Sequence, residues 1–276
     1  MRIYISADME GITGLVDSGD VQPGGQDYER GRQMMAEDVN AAIRGAVTAG
    51  ATDITVNDAH GPMRNILPEA LHPAARLIRG KPKQMGMLEG LAPEHDAAVL
   101  VGYHSRAGAL GVLSHSFMGH EIEDIWLDGR PVGEIGLAHE TAAAVGVPVA
   151  VLTGDDRACA EMADWDASVA TVAVKRARDR FAAELRPAHE ARTAIEEAVA
   201  SALSELPPAP APASASSTLA VRWQSASVAS TLLGIPGVAS TDSRTVQAQG
   251  ALPGLYRLFG IWMRVAASLT NQPPYC

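Results

Sequence analysis

Short apolar runs alternate with longer stretches of helical spacing over the first two-thirds of the chain. The runs at 2–8, 51–58 and 96–104 contain β-branched residues and have the length of single strands. Between the first two, residues 27–50 place apolar side chains three and four positions apart, and Gly50 stands where a helix C-terminal cap belongs. Strands that alternate with helices are typical of βαβ units. The pattern predicts an α/β fold with a mixed, largely parallel sheet and flanking helices.

The same kinds of element continue beyond residue 120. Asp128-Gly129 is a strong hairpin turn, and we expect two short strands around it within 122–133. Further strands are predicted at 147–156 and 167–175, and further helices at 134–146, 156–165 and 186–206.

A Pro/Ala/Ser-rich segment at 207–217 then interrupts the pattern, and it lacks the side chains that form a core. We therefore expect one α/β domain at 1–206, a linker at 207–217, and a smaller C-terminal α/β portion at 218–276. This portion is expected to pack on the first domain or at a subunit interface. The final helix, 252–269, is apolar on most sides, which predicts that it is buried in the fold or in such an interface.

The formal net charge of −10 argues against a nucleic-acid-binding protein, because phosphate binding depends on Lys and Arg. The basic run VKRARDR, at 174–180, is interpreted as the solvated face of a helix.

Two cysteines, Cys159 and Cys276, are too few for a disulfide framework or a cysteine zinc site. A reducing cytoplasm is the expected location. The sequence shows no signal-peptide pattern and no apolar run of the roughly 20 residues that span a bilayer, so no membrane partner is expected.

Three predicted strands end in polar side chains that could meet. Asp8 ends the first, with Glu10 two residues on; Asp58 ends the second, with His60 two residues on; and His104 ends the third. In open α/β sheets, ligands bind beyond the carboxyl ends of the strands. Because residues i and i+2 of an extended segment point the same way, two carboxylates at the first strand would face one point and repel each other. A divalent cation removes that conflict.

Carboxylates combined with imidazoles suit Zn²⁺, and Mn²⁺, Co²⁺ and Fe²⁺ also fit. Two carboxylates and two or three histidines can hold two metals, since a carboxylate can bridge. Two-metal sites hold a water nucleophile and polarise a carbonyl or phosphoryl oxygen. The pattern predicts a metal-dependent hydrolase.

Four further residues are open to two interpretations. Glu134 either joins the metal site or interacts with the dipole of the helix that it begins. His115, in a Ser/Gly-rich loop, is either a general acid or base or a surface histidine. Asp155 and Asp156 either line the same edge or cap the next helix.

A dense series of motifs runs from residue 1 to about residue 175: ISADMEGITG, YERGRQMM, VNDAHGPMRN, LIRGKPK, MLEGL, LVGYHSRAG, GVLSHSF, DGRPVGEIGL and LTGDDRA. In this order they resemble the zinc-dependent D-aminopeptidase family. The resemblance implies a binuclear zinc aminopeptidase, with two Zn²⁺ per chain, that removes N-terminal D-amino acids such as D-Ala from short peptides or amides. It implies a metal-bound water as nucleophile and a homo-oligomer, specifically a decamer. The implied metal ligands are Asp8, Glu10, His60, His104 and Glu134, and the implied catalytic residue is His115.

Departures from the family pattern lie in the loop at 117–126, in the linker, and in the C-terminal TNQPPYC. They could reshape the substrate entrance or the subunit contacts. The alternatives are a metal-dependent amidase on other small amides, a phosphoesterase, or a non-catalytic assembly protein with the same fold. The acidic charge and the absence of a Gly-rich phosphate loop count against the phosphoesterase, and the complete ligand set counts against a non-catalytic protein.

Overall fold

The computed structural model describes residues 1–211 and 214–270. Its strands are β1 (Arg2–Ala7), β2 (Asp53–Asp58), β3 (Ala75–Ile78), β4 (Ala97–Tyr103), β5 (Ile122–Leu127), β6 (Arg130–Pro131), β7 (Val149–Asp155), β8 (Ala170–Asp179), β9 (Ala182–Leu185), β10 (Ser217–Trp223), β11 (Ala239–Ser240) and β12 (Thr245–Gly250). Its helices are α1 (Ser18–Val21), α2 (Tyr28–Thr48), α3 (Glu134–Ala144), α4 (Asp156–Trp165), α5 (Ala188–Ser204), α6 (Ala226–Leu232) and α7 (Leu252–Thr270).

The larger sheet in the described residues has the order β3-β2-β1-β4-β7-β8-β9. Its strands are parallel except for β9, which pairs antiparallel with β8. The strands β4 and β7 are buried along their whole length, as expected of parallel strands that helices cover on both faces. The prediction of a mixed, largely parallel sheet with flanking helices is confirmed.

Each face of this sheet has its own core. On one face, side chains of β1, β2 and β4 pack with α2 and α5. On the other face, side chains of β1, β4 and β7 pack with α3, α7 and the second sheet. The site described below lies beyond the carboxyl ends of β1, β2 and β4, between these two layers.

The second sheet is antiparallel, with the order β11-β12-β10-β5-β6. Its β5–β6 hairpin turns at Asp128 and Gly129, whose φ angles of 51° and 82° confirm the predicted turn. Because β5 pairs with β10, the C-terminal strands share a sheet with the middle of the chain. The domain boundaries at 206 and 217 stay predictions. Residues 212–213 of the expected linker, and 271–276 with Cys276, lie outside the described residues.

The interpretation of VKRARDR as a helix face is wrong. These residues lie in β8 and in the turn that follows it, and β9 was not predicted at all. Arg176 and Arg178 are exposed on one side of the strand, where water solvates their charges as well as it would on a helix face. The charge pattern alone therefore does not distinguish a strand from a helix here. The elements β3 and α6 were also missed by the sequence reasoning.

The final helix α7 buries one face in the fold, as predicted, through Tyr256, Phe259 and Trp262. Its opposite face, with Arg257, Ile261 and Arg264, is exposed in the single chain. Within the described residues, none of the helices combines the length and the apolar character that crossing a membrane requires.

Candidate metal centre

The five residues predicted as metal ligands lie together at the carboxyl edge of the larger sheet. Asp8 and Glu10 follow β1, His60 follows β2, His104 follows β4, and Glu134 begins α3. The central position of β1, between β2 and β4, explains why three separate strand ends converge here. All five side chains are buried, with at most 8% of any residue exposed.

Asp8 lies between the two histidines. The Nδ1 atom of His60 is 3.0 Å from Glu10 Oε2 and 3.3 Å from Asp8 Oδ1. The Nε2 atom of His104 is 3.5 Å from Asp8 Oδ2 and 3.4 Å from Glu134 Oε1. The single carboxylate of Asp8 therefore lies close to both histidines, with one oxygen directed to each.

Glycines bring the segment after β1 against the end of β4. The amide of Gly11 donates to the carbonyl of Gly102 at 2.7 Å. Gly102 has a φ of 73°, and a Cβ atom there would overlap the carbonyl oxygen of Asp8. Only glycine allows this approach, which sets Asp8 and Glu10 beside His104.

Backbone carbonyls orient the two histidines predicted as metal ligands. The Nε2 atom of His60 donates to the carbonyl of Val21 at 2.8 Å, and the Nδ1 atom of His104 donates to the carbonyl of Ser105 at 2.9 Å. The other nitrogen of each ring therefore faces the carboxylates. A carbonyl that fixes the tautomer in this way is a common feature of metal-ligating histidines.

Lys175 supports the segment that carries Glu10, and sequence reasoning missed it. Its buried ammonium donates to the carbonyls of Glu10 at 2.6 Å, Ile12 at 2.9 Å and Leu15 at 2.6 Å. Burial lowers the pKa of Lys175 to about 8. The pairing of β7 with β8 contains one extra residue, Val174, just before Lys175. This bulge turns the lysine inward, against the alternation that the sequence shows.

The protein's own charges perturb every pKa in the cluster. Burial, followed by the charge of Glu10, raises the pKa of Asp8 to about 7. Burial opposes ionisation of Glu10 too, but the neighbouring His60 holds its pKa well below the usual range. Burial disfavours the charged form of His60 and His104, yet their carboxylate partners raise both pKa values well above normal. Protons thus compensate the clustered carboxylates, and a bound cation would take over that role.

His115 stacks on His104, with ring centroids 4.3 Å apart and an angle of 7° between the planes. Its Nδ1 atom donates to the carbonyl of Leu113 at 2.9 Å, and its Nε2 atom lies 4.0 Å from Glu10 Oε1. Burial, and then the charge of His104, lowers the pKa of His115. The side chain of His115 is 19% exposed, and it borders both the carboxylate cluster and the adjoining cavity.

The loop around His115 is tied to the cluster. Leu113 and Phe117, on either side of it, both have a φ of 54°, which is uncommon for residues other than glycine. The amide of Phe117 donates to Glu134 Oε1 at 2.5 Å, and the amide of Leu113 donates to the carbonyl of Arg180. These contacts hold a strained turn in one conformation.

Asp58 and Asp155 support neighbouring loops. Asp58 accepts from the amides of Asn65 and Ile66 and from the Asn65 side chain, so it holds the turn after His60. Asp155 caps α4 and also accepts from the amide of Val112. In the described part of the chain, neither belongs to the clusters of potential ligands.

The donor atoms fit two divalent cations. One group is Asp8, Glu10 and His60, and the other is Asp8, His104 and Glu134; within each, the ligand atoms lie within 4.8 Å of one another. Asp8 Oδ2 and His104 Nε2 are buried without a hydrogen-bond partner, which is costly unless something else binds them. A third overlapping group contains Glu10, His104 and His115. Carboxylate and imidazole donors suit zinc.

A cavity of about 750 Å³ opens above the cluster. Asp8, Glu10, His60, His115 and Glu134 form part of its wall. The remainder is largely apolar and is lined among others by Met63, Phe117, Met118, Phe181, Tyr256 and Met263. A cavity of this size and composition is typical of small-molecule sites.

Comparison with known proteins agrees with the motifs. The family model described as D-aminopeptidase, peptidase family M55, matches residues 1–259. A D-aminopeptidase of Bacillus subtilis (strain 168) is 42% identical over 198 residues, which cover 71% of this chain and 72% of that protein. The solved structure of the "Zn-dependent D-aminopeptidase DppA from Bacillus subtilis, a self-compartmentalizing protease" aligns over 100% of both chains, with a TM-score of 0.93 and 34% identity. The chain therefore belongs to the D-aminopeptidase family of peptidases.

Proposed function

We propose that this chain is a zinc-dependent D-aminopeptidase that removes N-terminal D-amino acids, such as D-Ala, from short peptides or amides. The observation that carries the proposal is the pair of ligand groups that share Asp8 at the base of a cavity. The similar proteins support it, because both are named as D-aminopeptidases and one of them as Zn-dependent.

Two zinc ions per chain fit this arrangement. Asp8, Glu10 and His60 would hold one, and Asp8, His104 and Glu134 would hold the other, with Asp8 as the bridge. When bound, zinc supplies a water of lowered pKa and polarises the scissile carbonyl.

His115 is the catalytic residue in this proposal. Because its Nδ1 atom donates to the carbonyl of Leu113, the neutral ring has its lone pair on Nε2, which lies nearer Glu10 and the cavity. The lowered pKa of His115 favours the neutral ring. Nε2 can accept a proton from the water that attacks the carbonyl. It can then donate that proton to the leaving amine or to the oxyanion.

The fixed orientation of the other side chains reduces the reorganisation that the reaction requires. Val21 and Ser105 hold the rings of His60 and His104 through their carbonyls, and Lys175 fixes the backbone at Glu10. Preorganised polar groups of this kind contribute to catalysis because they need not move as charge develops.

The assembly is also part of the proposal. The similar solved structure is that of a self-compartmentalizing protease, so we propose that this chain forms a homo-oligomer, specifically a decamer, in the cytoplasm. Light scattering of the purified protein should give about ten times the chain mass of 28.9 kDa. A monomer at micromolar concentration would contradict this part of the proposal.

The activity is tested with three chromogenic substrates on zinc-loaded protein: D-Ala-p-nitroanilide, L-Ala-p-nitroanilide and p-nitrophenyl phosphate. We expect kcat/KM for the D-anilide to exceed that for the L-anilide by about tenfold or more, with no phosphate release. Faster cleavage of the L-anilide, or of the phosphate, would contradict the proposal. The Asp8→Ala variant serves as the control for contaminating peptidases.

A further inference from the structure

Apart from the ligand carboxylates, the charges that line the cavity above the candidate metal centre are opposite in sign to the net charge of the chain. The chain has 32 acidic and 22 basic residues. Among the described residues, the acids that line the cavity are the three ligand carboxylates, whereas four basic side chains line it: Lys81, Lys83, Arg180 and Arg264. Outside the ligand cluster, the charged side chains in the described part of the wall are therefore all cationic.

Lys83 already has a structural role. Its ammonium donates to Asn57 Oδ1 at 2.7 Å, to the carbonyl of Asp58 at 2.6 Å, and more weakly to the carbonyl of Ile78. These acceptors use all three of its donors. Lys83 is therefore not available to bind a ligand.

Lys81 and Arg264 differ from Lys83, because both are exposed at the edge of the cavity and neither has a hydrogen-bond or ion-pair partner within residues 1–211 and 214–270. Desolvation lowers the pKa of the Lys81 ammonium, and no neighbouring carboxylate offsets the shift. Two cations that face a cavity without a counter-charge are suited to an anionic ligand.

The segments that carry the two residues lie close together. The segment that follows Lys81 packs on α7, where the carbonyl of Gln84 approaches Gly260. Arg264 lies one helical turn beyond Gly260, and residues four apart share a helix face. Arg180 is carried by a different segment: its carbonyl accepts from the amide of Leu113, and its guanidinium lies over the ring of Phe181, 5.3 Å from the centroid.

We propose that Lys81 and Arg264 bind the C-terminal carboxylate of a short peptide substrate and so select peptides over amides. The inference rests on the proposed function and deepens it. An aminopeptidase takes the amino end of its substrate at the metal centre, so the carboxyl end extends along the cavity toward the rest of the wall. A cavity of about 750 Å³ has room for a peptide of only a few residues, so the terminal carboxylate remains within it.

The test compares free acids with amides. The zinc-loaded protein is assayed on D-Ala-Gly and D-Ala-Gly-Gly, each as the free acid and as the C-terminal amide, since the two lengths bring the carboxylate to different depths. We expect kcat/KM for at least one free acid to exceed that for its amide by about tenfold, mainly through KM. Equal values for both acid–amide pairs would overturn the proposal while leaving the aminopeptidase activity in place.

The variants Lys81→Gln and Arg264→Gln should each remove most of that preference and leave cleavage of the amides within about twofold. Arg264→Lys, which keeps the charge, should retain part of it. The matched control is Arg257→Gln. Arg257 is exposed like Arg264 and lies on the same face of α7, two turns earlier, but it does not line the cavity, so its replacement should change kcat/KM for neither acid nor amide. Loss of the preference in Arg180→Gln, but not in the Lys81 and Arg264 variants, would overturn the assignment.

A binding measurement separates this inference from the proposed activity. Calorimetry on the zinc-loaded His115→Ala variant compares D-Ala-Gly-Gly with its amide, and inorganic phosphate serves as a free anion. Tighter binding of the free acid that depends on Lys81 and Arg264 supports the carboxylate site, even if the chain cleaves neither peptide. Equal binding of acid and amide, or binding of phosphate alone, would contradict it.

Discussion

The imidazole rings of His104 and His115 are stacked, with centroids 4.3 Å apart and nearly parallel planes. His104 points its Nε2 atom at Asp8 and Glu134, whereas His115 is more exposed and borders the cavity. The stack thus holds one buried imidazole against one that reaches the cavity. This arrangement suits the two roles proposed above, His104 as a metal ligand and His115 as a proton carrier.

Replacing His115 with alanine should lower kcat by about 10² to 10⁴, the range for loss of a general acid or base, while the metal content stays unchanged. The reason is that both ligand groups that share Asp8 are complete without His115. Steady-state kinetics and elemental analysis of the same preparation check this. His120→Ala is the matched control, because His120 lines the same cavity but is exposed. Loss of metal from His115→Ala would instead make His115 a ligand.

Replacing Asp8 with alanine should remove both metals, because Asp8 belongs to both ligand groups. Elemental analysis after gel filtration measures this directly. Asp58→Asn is the control: Asp58 ends the neighbouring strand and is equally buried, but it holds the Asn65 turn. That variant should keep its metals and lose stability. Two metals retained in Asp8→Ala would refute the ligand assignment.

Lys175→Met should lower the free energy of unfolding by about 3 kcal/mol, since it leaves three buried carbonyls without their donor. Urea unfolding measures the change. Arg176→Met, at the next and exposed position of β8, should stay within about 0.5 kcal/mol of the wild type. Equal stability of the two variants would show that Lys175 does not support the Glu10 segment.

The thiol of Cys159 should be unreactive in the folded protein. Burial raises its pKa to about 12, and the reactive species is the thiolate. In a Cys276→Ser background, a chromogenic disulfide reagent at pH 8 should detect no thiol before unfolding and one after it. Rapid labelling of the native protein would contradict the burial of this side chain.

Much of the fold and of the candidate site was predictable, because both follow from local patterns. Three apolar runs end at Asp8, Asp58 and His104. If these runs are parallel strands of one sheet, the three residues must lie at the same edge of it. The structure brings the predicted ligands together, and it shows that Asp58 instead accepts hydrogen bonds from the loop after His60. Strand ends do not distinguish a ligand from a loop support, since both need a carboxylate at the same place.

Other features depend on contacts that no local pattern carries. Lys175 points inward only because a bulge in β8 shifts its register. The hairpin of β5 and β6 pairs with β10, about 90 residues later in the chain. Neither segment alone carries a pattern that predicts this pairing. Arg264 and Lys81 likewise line one cavity, although Arg264 lies in α7 and Lys81 lies in a loop far away in the sequence. Tertiary packing decides such placements.

The metal content of protein purified without added metal tests directly whether Asp8 is the basis of a two-zinc site. Elemental analysis should find about two zinc ions per chain, or reach that value after incubation with Zn²⁺ and removal of the excess. A chain that binds no metal tightly under either condition would show that these side chains do not form a zinc site. The buried carboxylates of Asp8 and Glu10 would then be compensated by protons and histidines alone.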